Sequence, residues 1–107
     1  DPELTGAVGE LMARAFALRN LSLGVAGALA RGERPDVAAA MVKDLGTTFE
    51  QELVDTLTRS IELAELPFDS PLRPVLAQAM VQSPGFTLRG GANEILRGIV
   101  ARGLGLR

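Results

Sequence analysis

Residues 4–61 read LTGAVGELMARAFALRNLSLGVAGALARGERPDVAAAMVKDLGTTFEQELVDTLTRSI. Leu4, Val8, Leu11, Ala15, Leu18, Ser22, Val25 and Leu29 recur in steps of three and four, the period of a helix face and not of a strand. Val42, Leu45, Phe49, Leu53, Leu57 and Ile61 repeat that pattern, and the second helix is expected from Asp36 to about Ala64. Only Gly32 to Pro35 separates the two runs, with Gly32 suited to a left-handed C-cap. Two long helices joined so briefly must pack as an antiparallel hairpin. Asp1-Pro2-Glu3 starts the first helix with a capping carboxylate and a first-turn proline. Gly24 and Gly27 lie inside it, where each costs roughly 1 kcal/mol relative to alanine. Close approach of a neighbouring helix is the expected reason for them.

Working outward, Pro67 in the linker Leu66–Ser70 stops the second helix, and Ser70-Pro71 restarts the chain as N-cap and first-turn proline. A short third helix ends before Ser83-Pro84-Gly85. A fourth begins around Gly91 to Asn93, buries Ile95, Leu96, Ile99 and Val100, and frays at Gly103 and Gly105. The expected fold is all-α, a four-helix antiparallel up-and-down bundle, with residues 1–107 forming one domain.

Composition excludes much. The chain has no cysteine and no histidine, which removes disulfides, thiol nucleophiles, imidazole bases and most zinc sites. Its formal charge is −2 with scattered Lys and Arg, which argues against a nucleic-acid surface. Leu21 to Ala30, the longest nearly apolar stretch, is too short to span a bilayer. No leader pattern opens the chain, and a cytoplasmic location is expected. The first residue is Asp1 rather than Met, so a piece of a longer chain is expected. The wealth of Ala, Gly, Leu and Arg suits a GC-rich bacterial genome.

Candidate chemistry is thin. Glu50, Glu52 and Asp55 read as a solvated helix face, Lys43-Asp44 as an exposed pair, and Met12, Met41 and Met80 as core filler. The segment Phe86-Thr87-Leu88-Arg89-Gly90-Gly91-Ala92-Asn93-Glu94-Ile95-Leu96-Arg97 stands apart. Paired glycines before a helix let backbone approach a ligand, and free amides at the helix start favour an anion such as phosphate. Taken alone, such a pair is more often a simple turn.

Gly90-Gly91-Ala92-Asn93-Glu94-Ile95-Leu96-Arg97, then Ile99-Val100-Ala101-Arg102 and Leu104-Gly105-Leu106, resembles the C-terminal signature of acyl-CoA dehydrogenases. Ala38-Ala39-Ala40-Met41-Val42-Lys43 is similar to a segment on that family's preceding long helix. The resemblance implies the C-terminal helical domain of an FAD-dependent oxidoreductase that removes hydrogen from the α and β carbons of an acyl-CoA thioester. It also implies an electron-transfer flavoprotein or similar acceptor, and homo- or hetero-oligomers built through the helical bundle. By position, Ala92, Asn93 and Glu94 would contact FAD, Gly91 would meet the acyl substrate, and Arg102 would match the Arg of the Ala-Arg motif.

Three departures from the family pattern matter. Ala92 replaces the usual threonine and its hydroxyl. Gly90 stands where many members carry the catalytic glutamate, so no catalytic residue is expected in this chain. Leu63-Ala64-Glu65-Leu66-Pro67-Phe68 replaces a glycine-rich flavin segment. The leading expectation is a domain that contributes cofactor contacts and is inactive alone. A partner-subunit domain without the base is the alternative, and an unrelated ligand-binding bundle is a third reading.

Overall fold

The computed structural model describes residues 1–88 and 92–106, and among them every regular element is helical. Helix α1 spans Pro2–Ala30, α2 Asp36–Ser60, α3 Leu72–Gln82 and α4 Asn93–Gly103. Short 3-10 segments lie at Leu63–Glu65 and Ser83–Leu88.

Helix α1 begins as its sequence demands, with the Asp1 carboxylate accepting from the Glu3 amide at 2.9 Å. It ends in a Schellman motif. Gly32 adopts φ +79°, its amide donates to the Leu29 carbonyl, and the Glu33 amide donates to the Ala28 carbonyl. Gly105 closes α4 the same way at φ +82°, with Leu106 donating back to Ala101. Helix α2 stops at Ser60, short of the expected Ala64, and Ile61 is extended. Its last turn is a poor stretch for a helix: Thr58 turns its hydroxyl onto the Asp55 carbonyl at 3.0 Å, and Ser60 and β-branched Ile61 follow.

The antiparallel hairpin forms. Arg14 of α1 pairs with Glu52 of α2 at 2.5 Å and lies 5.0 Å above the Phe49 ring, while Ala28 sits near Pro35 and Ala38. The covered stripe of α1 runs Leu4, Ala7, Leu11, Arg14, Leu18, Val25 and Ala28. It follows a tighter repeat than the expected stripe, so Ala15 and Leu29 turn outward. Helix α2 is the hub: it packs on α1 along one side and on α3, α4 and the Ser83–Leu88 segment along the other. Its second face carries Ala40, Thr47 and Val54, all buried, while Leu45, expected inside, is exposed.

All-helical architecture is therefore observed, but a closed bundle of four long helices is not what packs here. Helices α3 and α4, at 11 residues each, reach only about 16 Å. Neither can run the length of the 29-residue α1, whose main packing partner is α2. The consequence is an elongated shape of 50 × 23 × 23 Å and a radius of gyration of 16.7 Å, against about 13 Å for a compact domain of this length. The chain exposes 7571 Å², where a compact 11.3 kDa monomer exposes about 5,700 Å². Met12, Phe16, Leu21, Leu23 and Leu29 of α1 all lie open.

Two expectations are corrected by this geometry. Met12, Met41 and Met80 are exposed rather than core filler: the α1 and α2 surfaces that carry Met12 and Met41 have no facing layer, and Met80 of α3 borders an open groove beside α2. Nor does a neighbouring helix come within 4 Å of where a side chain on Gly24 or Gly27 would stand. Open space surrounds Gly24, and only the Arg31 guanidinium lies near Gly27.

Glycines 24 and 32 thus predict opposite outcomes in thermal melts of this protein. Gly32→Ala forces a side chain into the left-handed region and is expected to cost about 1 kcal/mol. Gly24→Ala meets no obstruction and is expected to stabilise by roughly 0.5–1 kcal/mol.

Candidate functional site

Helix α4 lies antiparallel on the second face of α2. Near one end Arg97 reaches Asp44; near the other Gly103 meets Val37, and a methyl on Gly103 would run into the valine side chain. The glycine expected only to fray the helix therefore permits close approach of two backbones.

The first turn of α4 is held by side chains that sequence reasoning left apart. Ala92 is the N-cap residue, half-buried and extended at φ −67°, ψ 149°, and offers no side-chain cap. Its carbonyl accepts from the Ile95 and Leu96 amides at 3.0 and 3.2 Å. Asn93 is 6% exposed. Its Nδ2 lies 2.6 Å from Asp44 Oδ1, 3.2 Å from Thr48 Oγ1 and 3.4 Å from the Asp44 carbonyl. The Thr47 hydroxyl, 3.2 Å away, can donate to Asn93 Oδ1, and it also lies 2.9 Å from the Lys43 carbonyl. Arg97 Nε donates to Asp44 Oδ2 at 3.3 Å. Gln51, two turns from Asp44, donates to the Ser83 carbonyl at 2.8 Å and ties the preceding 3-10 segment to the same face.

The candidate residues do not all meet. Ala92, Asn93 and Glu94 cluster at the start of α4, with Glu94 exposed. Arg102 is exposed near the far end of the helix, about 13 Å from Asn93 along the axis, and its guanidinium folds back over Gly98. Gly90 and Gly91 lie outside the described residues.

Asp44 is the residue that sequence reasoning misplaced. Its side chain is only 18% exposed, and it belongs to α4's contact surface rather than to an exposed pair with Lys43. A signal existed: Ala40, Asp44, Thr47, Gln51 and Val54 follow helical spacing, a half-polar stripe opposite the apolar one. Glu52 and Asp55 lie on a solvated face as expected, paired with Arg14 and Arg59. They border an open groove of about 590 Å³ between α2 and Met80, Ser83 and Pro84. In the linker after α2, Arg73 stacks 4.9 Å from the exposed Phe68 ring and donates to the Leu66 carbonyl at 2.9 Å. Among the described residues no group of three Asp or Glu could hold a metal, and no helix is long and apolar enough to cross a membrane.

These features define an all-helical domain whose terminal helix is keyed onto a central one through a buried amide and a carboxylate. Residues 1–105 match the sequence profile described as acyl-CoA dehydrogenase, C-terminal domain. The chain belongs to the acyl-CoA dehydrogenase family of oxidoreductases. No curated protein and no solved structure matches it.

Replacing Asn93 by alanine takes the amide donor from Asp44 Oδ1 behind α4, while the Thr47 hydroxyl keeps the Lys43 carbonyl. Urea unfolding of Asn93→Ala is expected to show a loss of about 1–3 kcal/mol.

Proposed function

We propose that this chain is the C-terminal domain of an FAD-dependent acyl-CoA dehydrogenase, supplying one wall of the flavin site and part of the oligomer interface, and inactive alone. Membership in the family carries this reading. FAD, when bound, would supply the hydride acceptor for the β-carbon of the acyl thioester, and an electron-transfer flavoprotein or similar acceptor would take the electrons on. The chain's own contribution is positional. The start of α4 suits an anionic cofactor through backbone: Ala92 offers no side chain to occupy the first-turn amides. Ala92 and Glu94 would face the flavin with the backbone of Asn93, whose side-chain amide is already committed to α2. Gly91 would lie against the acyl group. Arg102, a helix length away, would act at a separate contact, with a distal part of the acyl-CoA.

The uncovered apolar surface supports the assembly part of this reading. The excess, about 1,900 Å² on the same scaling, is more than the roughly 800 Å² that one partner gives to a standard protein interface. The antiparallel four-helix bundle would then be completed only when further helices of the assembled protein cover α1. A cytoplasmic bacterial oligomer, with no membrane and no nucleic acid among its partners, fits the composition.

A second reading is favoured by Gly90 and Ala92. Glycine cannot take the α-proton, so the domain would belong to a base-less subunit that works beside an active sister chain.

Visible absorbance of the purified full-length protein, followed by acyl-CoA oxidation with and without sister subunits, separates the readings. Yellow protein that oxidises acyl-CoA by itself supports the first. Yellow protein active only with a sister chain supports the second. Colourless, inactive protein in every combination would contradict both.

A further inference from the structure

We propose that Asp44 is a positioning residue for the start of α4, with Asn93 as its inward-facing partner rather than a ligand contact. The two Asp44 oxygens are divided between residues one turn apart on α4: Oδ1 takes Asn93 at 2.6 Å, and Oδ2 takes Arg97 at 3.3 Å. Side chains four apart share one helix face. A single carboxylate thus fixes the rotation of the first turn as well as its height along α2.

Asn93 has no side-chain donor left to offer. Its two N–H bonds are distributed among Asp44 Oδ1, Thr48 Oγ1 and the Asp44 carbonyl, and its oxygen can accept from Thr47. No side chain caps α4. The grip from α2 replaces the capping box that holds many helix starts, and a carboxylate near a helix N-terminus is also favoured by the helix dipole. The separate Arg97 pairing is worth little, since Arg97 is 63% exposed. Its role is directional: with Asn93 it makes a two-point attachment.

The functional weight of the clamp rests on the proposed flavin site, because orienting residues 92–94 matters only where they face a cofactor. Its mechanical part stands independently. Asp44→Ala removes both attachments. Asn93→Asp sets two carboxylates against each other at hydrogen-bond distance. The double exchange Asp44→Asn with Asn93→Asp restores a donor–acceptor pair of reversed sense. In that variant the amide at position 44 donates to the carboxylate at position 93, which also stands one turn from Arg97.

The test is hydrogen exchange by mass spectrometry on the full-length protein, read at residues 94–98 and across the α1–α2 hairpin, with flavin content measured on the same samples. Each single variant is expected to speed exchange at 94–98 by tenfold or more, leave the hairpin unchanged and release flavin. The double exchange is expected to recover both properties. Unchanged exchange in Asp44→Ala, or failure of the double exchange to recover protection, overturns the clamp. Faster exchange with flavin fully retained overturns its role in positioning the cofactor wall. A wild-type protein without flavin contradicts the proposed function instead, while the exchange pattern still decides the clamp. Should Asp44→Ala unfold the protein, the comparison of Asn93→Asp with the double exchange decides it.

Discussion

An asparagine amide taken out of water must recover every hydrogen bond it gives up, and for Asn93 all the partners come from α2. Leaving such a group unpaired costs about 1–3 kcal/mol, a substantial fraction of the stability of a small domain. That constraint accounts for the seating of α4. The helix cannot rotate without withdrawing Asn93 from Asp44, Thr47 and Thr48. Nor can it tilt toward α2 at its far end, because Gly103 already meets Val37. A helix of 11 residues with only Leu96 as a buried apolar anchor would be weakly specified by hydrophobic contact. Polar geometry supplies the register, a use of buried polar groups in which position is gained more than energy.

The same helix, α2, carries the rest of the molecule. One side meets α1 through Phe49, Arg14 and Glu52. The opposite side meets α3, α4 and the segment between them. Packed on two sides, it holds four of the nine buried residues among those described: Ala40, Thr47, Phe49 and Val54. Helix α1, by contrast, buries only Leu11 and Ala28 of its 29 residues. Apolar side chains around most of its circumference suit a helix meant to be surrounded. The excess surface and long shape follow from that imbalance, and they fit a domain that finishes folding its neighbourhood only in a larger assembly.

Much of this was legible in the residues. The three-and-four spacing of α1 and α2, the short link at Gly32–Pro35 and the Asp1 cap all led to the observed hairpin. They did so because period, loop length and capping are local properties. The ends of α1 and α4 were legible for the same reason, through Gly32 and Gly105 at positive φ. What escaped was tertiary. A stripe count marks apolar residues and passes over Asp44 and Thr47, so spacing alone does not reveal the polar face of α2 or the seat it gives the Asn93 side chain. Nor does helical spacing say whether anything stands opposite, which is why the methionines and Gly24 were misjudged. Family signature residues were legible as a string. Their distribution was not: Arg102 and the residues 92–94 sit at opposite ends of one helix, a separation that follows from the rise per residue once α4 is known to be continuous.

The central claim is that the Asn93 side-chain amide points into the α2 face and is held there. It can be read directly from the side-chain NH₂ resonances of Asn93 in a ¹⁵N-labelled sample. Slow exchange with water and nuclear Overhauser contacts to Thr47 and Thr48 are predicted. Exchange at the rate of a free side-chain amide, with no contact to either threonine, would contradict the account.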